Sequence, residues 1–276
     1  MRIKFWGSRG SVPVSGPEYL KYGGDTTCVE ICSASGEILI IDAGTGIRRL
    51  GKSLLRRGIK NCRMLFTHAH WDHIMGFPFF APIYQKDFSI ELMGCPFAQH
   101  AVRDMVSKTM EAPNFPVDFD KVAASFTFQK LCDGESRTDG LRILPVSLSH
   151  PNSGTGYRIS EGKNSFVFLT DNELGFQHPG GLAPDDYAAF CRGAELLVHD
   201  AEFCDGEYGR VKGWGHSTWN MALELAEKAG VKKFGLYHHN ADRSDSEIDT
   251  ITGECSRRAP AGLEVFAVAA GGEVVL

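Results

Sequence analysis

Thr67-His68-Ala69-His70-Trp71-Asp72-His73 follows directly on the apolar run Met64-Leu65-Phe66. Three imidazoles and a carboxylate therefore fall within six residues at the end of a short buried strand. As core material this run is poor, because it would bury four polar heads that each need a partner. It suits a divalent cation, for which neutral imidazole and carboxylate are the usual ligands of zinc, iron or manganese. One tetrahedral ion rarely takes four ligands from so short a loop. Placing His68 and His70 on one ion and Asp72 and His73 on another is sterically easier. The competing reading is a solvated histidine-rich turn.

A second ion needs ligands from elsewhere, and three stand where later apolar runs stop. His150 follows Leu144-Pro145-Val146-Ser147-Leu148-Ser149, Asp171 follows Phe166-Val167-Phe168-Leu169-Thr170, and His238 follows Phe234-Gly235-Leu236-Tyr237. Taken singly, each reads as a turn or cap residue. Together with the loop they supply seven ligands, enough for two ions if one carboxylate bridges, as a two-metal hydrolase requires.

The rest of the pattern sets those strand ends in an α/β chain. Residues 26–32 and 37–41 read as paired strands joined through Ser33-Ala34-Ser35-Gly36. A helix over about 46–57 carries Ile47, Leu50, Leu54 and Leu55 as its apolar stripe. Further strands are predicted near 88–94, 125–130, 141–148, 155–160, 164–170 and 195–198. Helices are predicted over 97–110, from Pro184 to about Cys191, and from Ser217 to Ala229 with Gly230 as the stop. Ser244-Asp245-Ser246-Glu247 matches a capping box opening the last helix. Residues 111–120 read as a loop over a site or as surface packing. Two strand-rich halves, each ending in helices, point to a layered α/β/β/α sandwich rather than a doubly wound parallel sheet.

Composition narrows the partners. Lys+Arg number 29 against 34 Asp+Glu, giving a net charge of −5 over 276 residues. That balance argues against a general nucleic-acid coat or a polybasic membrane binder. No apolar run approaches the roughly 18 residues of a membrane span, and the N-terminus enters strand-like alternation without a signal core. The expectation is a cytoplasmic protein with one hydrolase domain over 1–276. Eight cysteines without a C-x-x-C pair read as reduced thiols, mostly small core residues.

His68-x-His70-x-Asp72-His73 followed in order by His150, Asp171 and His238 resembles the metallo-β-lactamase superfamily, and the resemblance takes in the Ile41-Asp42-Ala43-Gly44 turn. It implies a four-layer αβ/βα sandwich with two divalent ions, zinc first and manganese or iron as alternatives. It also implies His68, His70 and His150 on the first ion, Asp72, His73 and His238 on the second, and Asp171 bridging. His238 is preferred over the adjacent His239 because it comes first after its strand.

Within the superfamily, Asp171 rather than Cys at the bridging position points away from β-lactam hydrolysis, and His70 rather than Glu points away from the iron–oxygen reductases. His216-Ser217-Thr218, coming after His199-Asp200-Ala201-Glu202, resembles the paired motifs of the phosphodiesterase branch, which includes tRNA 3′-processing endonucleases and cyclic-phosphate phosphodiesterases. Gly7-Ser8-Arg9-Gly10-Ser11-Val12-Pro13 and Gly23-Gly24-Asp25-Thr26-Thr27 resemble that branch too.

The expected reaction is hydrolysis of a small or cyclic phosphodiester by a hydroxide made at the two ions. Asp72 orients the nucleophile, and His216, hydrogen-bonded and kept protonated by Asp200, assists the leaving oxygen. An anion is also expected at the helix N-terminus beside His216. Bland alternatives stand beside these: helix capping by Ser217, a strand-end turn for Asp200 and, for Arg9, an exposed structural role in place of a phosphate contact from its glycine-flanked loop. His199 reads as a satisfied core histidine, and His100 and His178 as core or surface residues. The branch's tRNA-processing members insert a long clamp arm between the equivalents of His150 and Asp171. Here only 21 positions separate them, so no large nucleic acid and no membrane are expected as partners, and a homodimer is allowed by analogy. The alternatives carried forward are a thioester or acyl hydrolase of the same fold and a tRNA 3′-processing-type endoribonuclease without the arm.

Overall fold

In the computed structural model, residues 1–95, 102–132, 134–138 and 140–276 are described. The strands are β1 (Arg2–Gly7), β2 (Cys28–Cys32), β3 (Ile38–Ile41), β4 (Asn61–Leu65), β5 (Ser89–Gly94), β6 (Ser125–Lys130), β7 (Ser136–Thr138), β8 (Leu141–Ser147), β9 (Thr155–Glu161), β10 (Asn164–Leu169), β11 (Leu196–Asp200), β12 (Lys233–Tyr237), β13 (Glu264–Ala267) and β14 (Glu273–Val275). They form two seven-stranded sheets, ordered β14-β1-β2-β3-β4-β5-β6 and β13-β12-β11-β10-β9-β8-β7. The helices are α1 (Ile47–Arg56), α2 (Trp71–Ile74), α3 (Val102–Lys108), α4 (Pro184–Cys191), α5 (Asp205–Val211), α6 (Trp219–Ala229) and α7 (Asp245–Arg258).

The period-2 geometry of a strand sends alternate side chains to opposite faces, and here both faces are buried. Leu39 and Ile41 point between the sheets, with Phe166, Phe168, Leu196 and Val198 facing them from the second sheet. Their sequence neighbours Ile38 and Ile40 face outward and pack against Leu50 and Leu54 of α1. On the far side Val167, Leu169 and Leu197 meet Ala222, Leu225 and Ala226 of α6. The result is helix, sheet, sheet, helix: the predicted four-layer sandwich. Burial on both faces is why these strands read as unbroken apolar runs. Two buried tyrosines cross-link the layers, Tyr157 donating to the Phe66 carbonyl and Tyr237 to that of Gly7, each at 2.6 Å.

Several boundaries differ from expectation for local reasons. Thr218, not Ser217, caps α6, its hydroxyl accepting from Met221 N–H at 3.3 Å. Ser217 turns inward, donating to the Asn172 carbonyl and accepting from Leu174 N–H. The helix expected over 97–110 is seen from Val102 to Lys108; residues 97–101, with His100, lie outside the described residues. Within 111–120, Phe115 and Val117 pack on the outer core of the first sheet, with Phe115 edge-on to Phe79.

The reading of all eight cysteines as reduced is corrected: Cys95 and Cys132 form a disulfide, while the other six are free thiols. The cause is register. β5 and β6 run parallel to the pair Gly94↔Lys130, so the residues just beyond their ends lie side by side although 37 positions apart.

No helix among the described residues is long and apolar enough to cross a membrane.

Candidate metal centre

β3 and β4 run parallel in one sheet, and β10, β11 and β12 run parallel in the other. The carboxyl ends of these five strands gather at one edge of the sandwich. Three residues leaving them, Asp42, Asp171 and His238, have left-handed backbones with φ of 62°, 54° and 55°. A left-handed residue other than glycine costs on the order of 1–3 kcal/mol and persists only where its surroundings enforce it. Here it turns the chain sharply, so that each side chain reaches over the sheet edge.

All seven candidate ligands meet there, in two groups that share one carboxylate. His68, His70, His150 and Asp171 form the first, and Asp72, His73, Asp171 and His238 the second; within each, the donor atoms lie within 4.8 Å of one another. In the first, His150 Nε2 is 3.1 Å from His70 Nδ1, and His68 Nε2 is 3.5 Å from Asp171 Oδ2. In the second, His73 Nε2 is 3.2 Å from Asp171 Oδ1 and 3.3 Å from Asp72 Oδ2, while His238 Nε2 is 3.2 Å from Asp72 Oδ2. His239 points elsewhere, its Nε2 donating to the Val268 carbonyl.

The outer nitrogens of four of these rings are occupied. His73 Nδ1 donates to Asp42 at 2.8 Å, His238 Nδ1 to Glu202 at 2.9 Å, and His150 Nδ1 to the Gly215 carbonyl at 3.0 Å. His68 Nδ1 is 3.1 Å from the Thr67 hydroxyl, which donates in turn to Asp42. Such partners fix tautomer and ring orientation, leaving the inner nitrogen as a bare donor. The inward Nε2 atoms of His68 and His73 are buried without a hydrogen-bond partner. Around them Asp42, Asp72, Asp171, Asp200 and Glu202 are all buried. Among the described residues, the ion pairs of these five carboxylates are with histidines alone. Orphaned imidazole nitrogens aimed at a concentration of buried carboxylates are what two divalent cations would satisfy. The residues fit the group.

Without an ion the rings themselves balance the carboxylates. Against their burial, Asp171, Asp72 and Asp42 hold His73, and Asp171, Asp72 and Glu202 hold His238, well above the usual imidazole range. A bound cation would displace those protons. Burial pushes the Asp171 carboxyl up, but His238, His73 and His68 outweigh it and hold the group well below the usual carboxylate range. Asp72 is likewise held low by His73 and His238 against its burial. His150 is driven down to about 3, mainly by burial, which leaves it the neutral imidazole that a ligand must be.

Beside the second group, His216 stacks on His238 with centroids 4.7 Å apart. Its Nδ1 lies 2.7 Å from Asp200 and 3.4 Å from Glu202. Burial lowers its basicity, yet Glu202 and Asp200 together raise it to about 9. The anion expected at the start of α6 meets donors already in use: Trp219 N–H bonds the Phe203 carbonyl and Met221 N–H the Thr218 hydroxyl. Arg9 is neither exposed nor aimed at a substrate. It is fully buried, clamping the carbonyls of Gly23, Asn240 and Arg243. His199 sits in the core between Asn172 and the Asp200 carbonyl.

Three carboxylates at the site went unassigned in the sequence: Asp42, Glu202 and Glu173. The first two sit inside motifs quoted for the resemblance, so their positions carried a signal. Glu173 has none beyond lying two residues after Asp171.

Comparison with known proteins agrees with this geometry. The profile described as the Beta-lactamase superfamily domain matches residues 38–239. A ribonuclease Z of Exiguobacterium sibiricum is 27% identical over 220 residues, covering 67% of this chain and 73% of that protein. A diphosphatase from the PhnP family superposes with a TM-score of 0.70 at 20% identity, covering 100% of this chain and 97% of the other. Human tRNase Z, short form, gives 0.69 at 19% identity, covering 100% and 99%. The two structural likenesses bear on the fold.

Proposed function

This chain belongs to the β-lactamase superfamily, and on that footing we propose that it hydrolyses phosphodiesters at a binuclear metal centre. One observation carries the proposal: Asp171 is shared by two complete ligand groups, with the His216–Asp200 pair directly beside the second. His68, His70, His150 and Asp171 would hold one ion, and Asp72, His73, His238 and Asp171 the other. When bound, two such ions lower the pKa of water from about 15.7 toward 7 and neutralise phosphoryl charge. The remaining work falls to the protein. Asp72, fixed through Oδ2 by the Ser11 N–H at 2.9 Å, is placed to orient the attacking water. His216 has Nδ1 committed to Asp200, so Nε2 is the atom that delivers a proton to the leaving oxygen. Residues 1–276 act in this reading as one hydrolase unit in the cytoplasm.

For the substrate, relatives named ribonuclease Z favour an RNA phosphodiester over the small cyclic one expected from the sequence. The exclusion of large nucleic acid rested on net charge and on the missing arm, and it is withdrawn. A small phosphodiester remains the second reading. Its support is the β9–β10 hairpin, in which Glu161 pairs with Asn164 and leaves no insertion between His150 and Asp171.

The test is hydrolysis of bis(p-nitrophenyl) phosphate, precursor tRNA, cyclic nucleotides and thioesters, with and without chelator. Chelator-sensitive cleavage of phosphodiesters, restored by zinc or manganese, is expected. Preference for thioesters, or full turnover without metal, overturns the reading.

A further inference from the structure

The segment between α5 and His216 places an exposed aromatic ring on an anchored stretch of backbone. Glu173 is buried, and four donors meet its carboxylate. Tyr208 OH and Gly213 N–H reach Oε1, both at 2.7 Å, and Gly215 N–H and His178 Nε2 reach Oε2, both at 2.8 Å. Gly213 and Gly215 bracket Trp214, so a buried anion pins the chain on either side of that residue. Trp214 N–H is itself tied to the Val211 carbonyl at 3.0 Å. Gly215 cannot be replaced here: φ is +99°, and a Cβ would fall 2.0 Å from His150 Nδ1. Yet the Trp214 side chain is 63% exposed. A large apolar ring held in water on fixed backbone adds little to folding, and because one exposed ring alone is ordinary on a protein surface, its neighbours decide what it means.

Its position relative to the ligands is defined by a short relay. The Gly215 carbonyl holds His150 Nδ1, His150 Nε2 lies 3.1 Å from His70 Nδ1, and the residue after His70 is Trp71, itself 61% exposed. The two indoles are thus chain neighbours of groups on opposite sides of one ligand ring. Arg210 in the last turn of α5 and Lys212 just after it, both exposed and within four residues of Trp214, make no ion pair among the described residues, whereas nearby Glu207 is already engaged by Arg243 at 2.8 Å. Two exposed cations directly before an exposed indole match single-stranded nucleic acid, which offers both phosphates and base faces.

We infer that this segment binds single-stranded nucleic acid, Trp214 stacking on a base beside the scissile phosphodiester while Arg210 and Lys212 take the neighbouring phosphates. The inference rests on the phosphodiesterase reading and specifies its substrate: an unpaired strand, held by stacking and two phosphate contacts rather than by a clamp arm. Glu173 is then a positioning residue, setting the segment that carries both Trp214 and His216.

The test is fluorescence anisotropy of a labelled 2′-O-methyl RNA decamer with the full, metal-loaded chain, the probe being shown intact by gel after each titration. Trp214→Ala is expected to weaken binding about tenfold or more and Trp214→Phe to restore it to within about threefold. The double variant Arg210→Gln/Lys212→Gln should weaken binding and flatten the slope of log K against log salt by about 1.4, the value for two single-strand phosphates. The same sequence as a duplex should bind more weakly. Unchanged affinity in Trp214→Ala, or no affinity in the wild type, overturns the inference. Thermal unfolding of each variant confirms its fold, and should Trp214→Ala unfold, the double variant's salt slope decides. Because binding is read on uncleaved probe, this result is independent of hydrolysis: a wild type that turns over bis(p-nitrophenyl) phosphate but binds no RNA removes the inference and leaves the enzymatic reading standing.

Discussion

His216 and Asp200 meet at 2.7 Å, Nδ1 to Oδ2, with both groups buried at the edge of the second ligand group. The carboxylate fixes the ring's tautomer and keeps Nε2 as the working atom, so the pair should act on the leaving group rather than on metal binding. His216→Ala is expected to lower kcat for bis(p-nitrophenyl) phosphate by roughly 10²–10⁴-fold, with Asp200→Asn less severe. Elemental analysis of both variants should still find about two ions per chain. Loss of metal in His216→Ala would make that residue a ligand instead.

Asp171 joins both groups, so its removal should empty both sites together. Asp171→Ala is expected to bind less than about one ion per chain and to show no measurable turnover. If one full equivalent of metal remains, the carboxylate is not shared.

Five buried carboxylates whose ion pairs, among the described residues, are with histidines alone imply that the cations stabilise the fold as well as the reaction. A ligand that binds only the native state adds about 2.7 kcal/mol at 100 times its dissociation constant. Chelation should therefore lower the unfolding temperature by several degrees, and zinc should restore it. An unchanged Tm on chelation would mean that the buried charge is compensated in another way.

Asp42 is outside the seven candidate ligands but holds one of them, His73, through Nδ1 at 2.8 Å. Asp42→Asn removes the acceptor charge while keeping its size. Metal affinity should fall about 10–100-fold, as it does when such outer partners are lost. Competition with a chromophoric chelator measures this, and wild-type affinity in the variant would reduce Asp42 to a turn residue.

Glu195 ties three strands together away from the site. It accepts from Ser165 N–H at 2.9 Å, Ser165 Oγ at 3.2 Å and Lys232 Nζ at 3.1 Å. Burial pushes its carboxyl up, but the Lys232 and Ser165 bonds outweigh that and hold it below its ordinary 4.5. A depressed carboxyl stabilises the fold above its unfolded pKa, and that contribution fades as pH falls through the folded value. Glu195→Gln should cost about 0.5–1 kcal/mol at pH 7 in urea denaturation. The difference from wild type should shrink below about pH 4.5; a constant penalty down to pH 3 would assign the loss to packing.

The seven candidate ligands could be picked out in the sequence because each stands at a punctuation point: a polar residue directly after an apolar strand, or part of the dense histidine run. The layered fold was legible for the same reason, since strands buried on both faces advertise themselves as continuous apolar runs. Arg9 was misjudged because nothing in its glycine-flanked neighbourhood shows that three carbonyls from residues 23, 240 and 243 converge on it. Ser217 looked like a cap because the helix start was visible, whereas the Asn172 carbonyl that claims it lies 45 positions away.

By itself, then, the chain's order of residues determined which side chains stand as candidate ligands and that two sheets would face each other, because unbroken apolar runs and the polar residues that end them are local properties. Only the tertiary structure decided what holds them: Asp42 on His73, Glu202 on His238, Glu173 on the His216 segment, and Cys95 on Cys132. Each of these is a meeting of residues distant in the chain, determined by strand register and loop closure, and a hydrogen bond across such a distance leaves no periodic trace in a sequence.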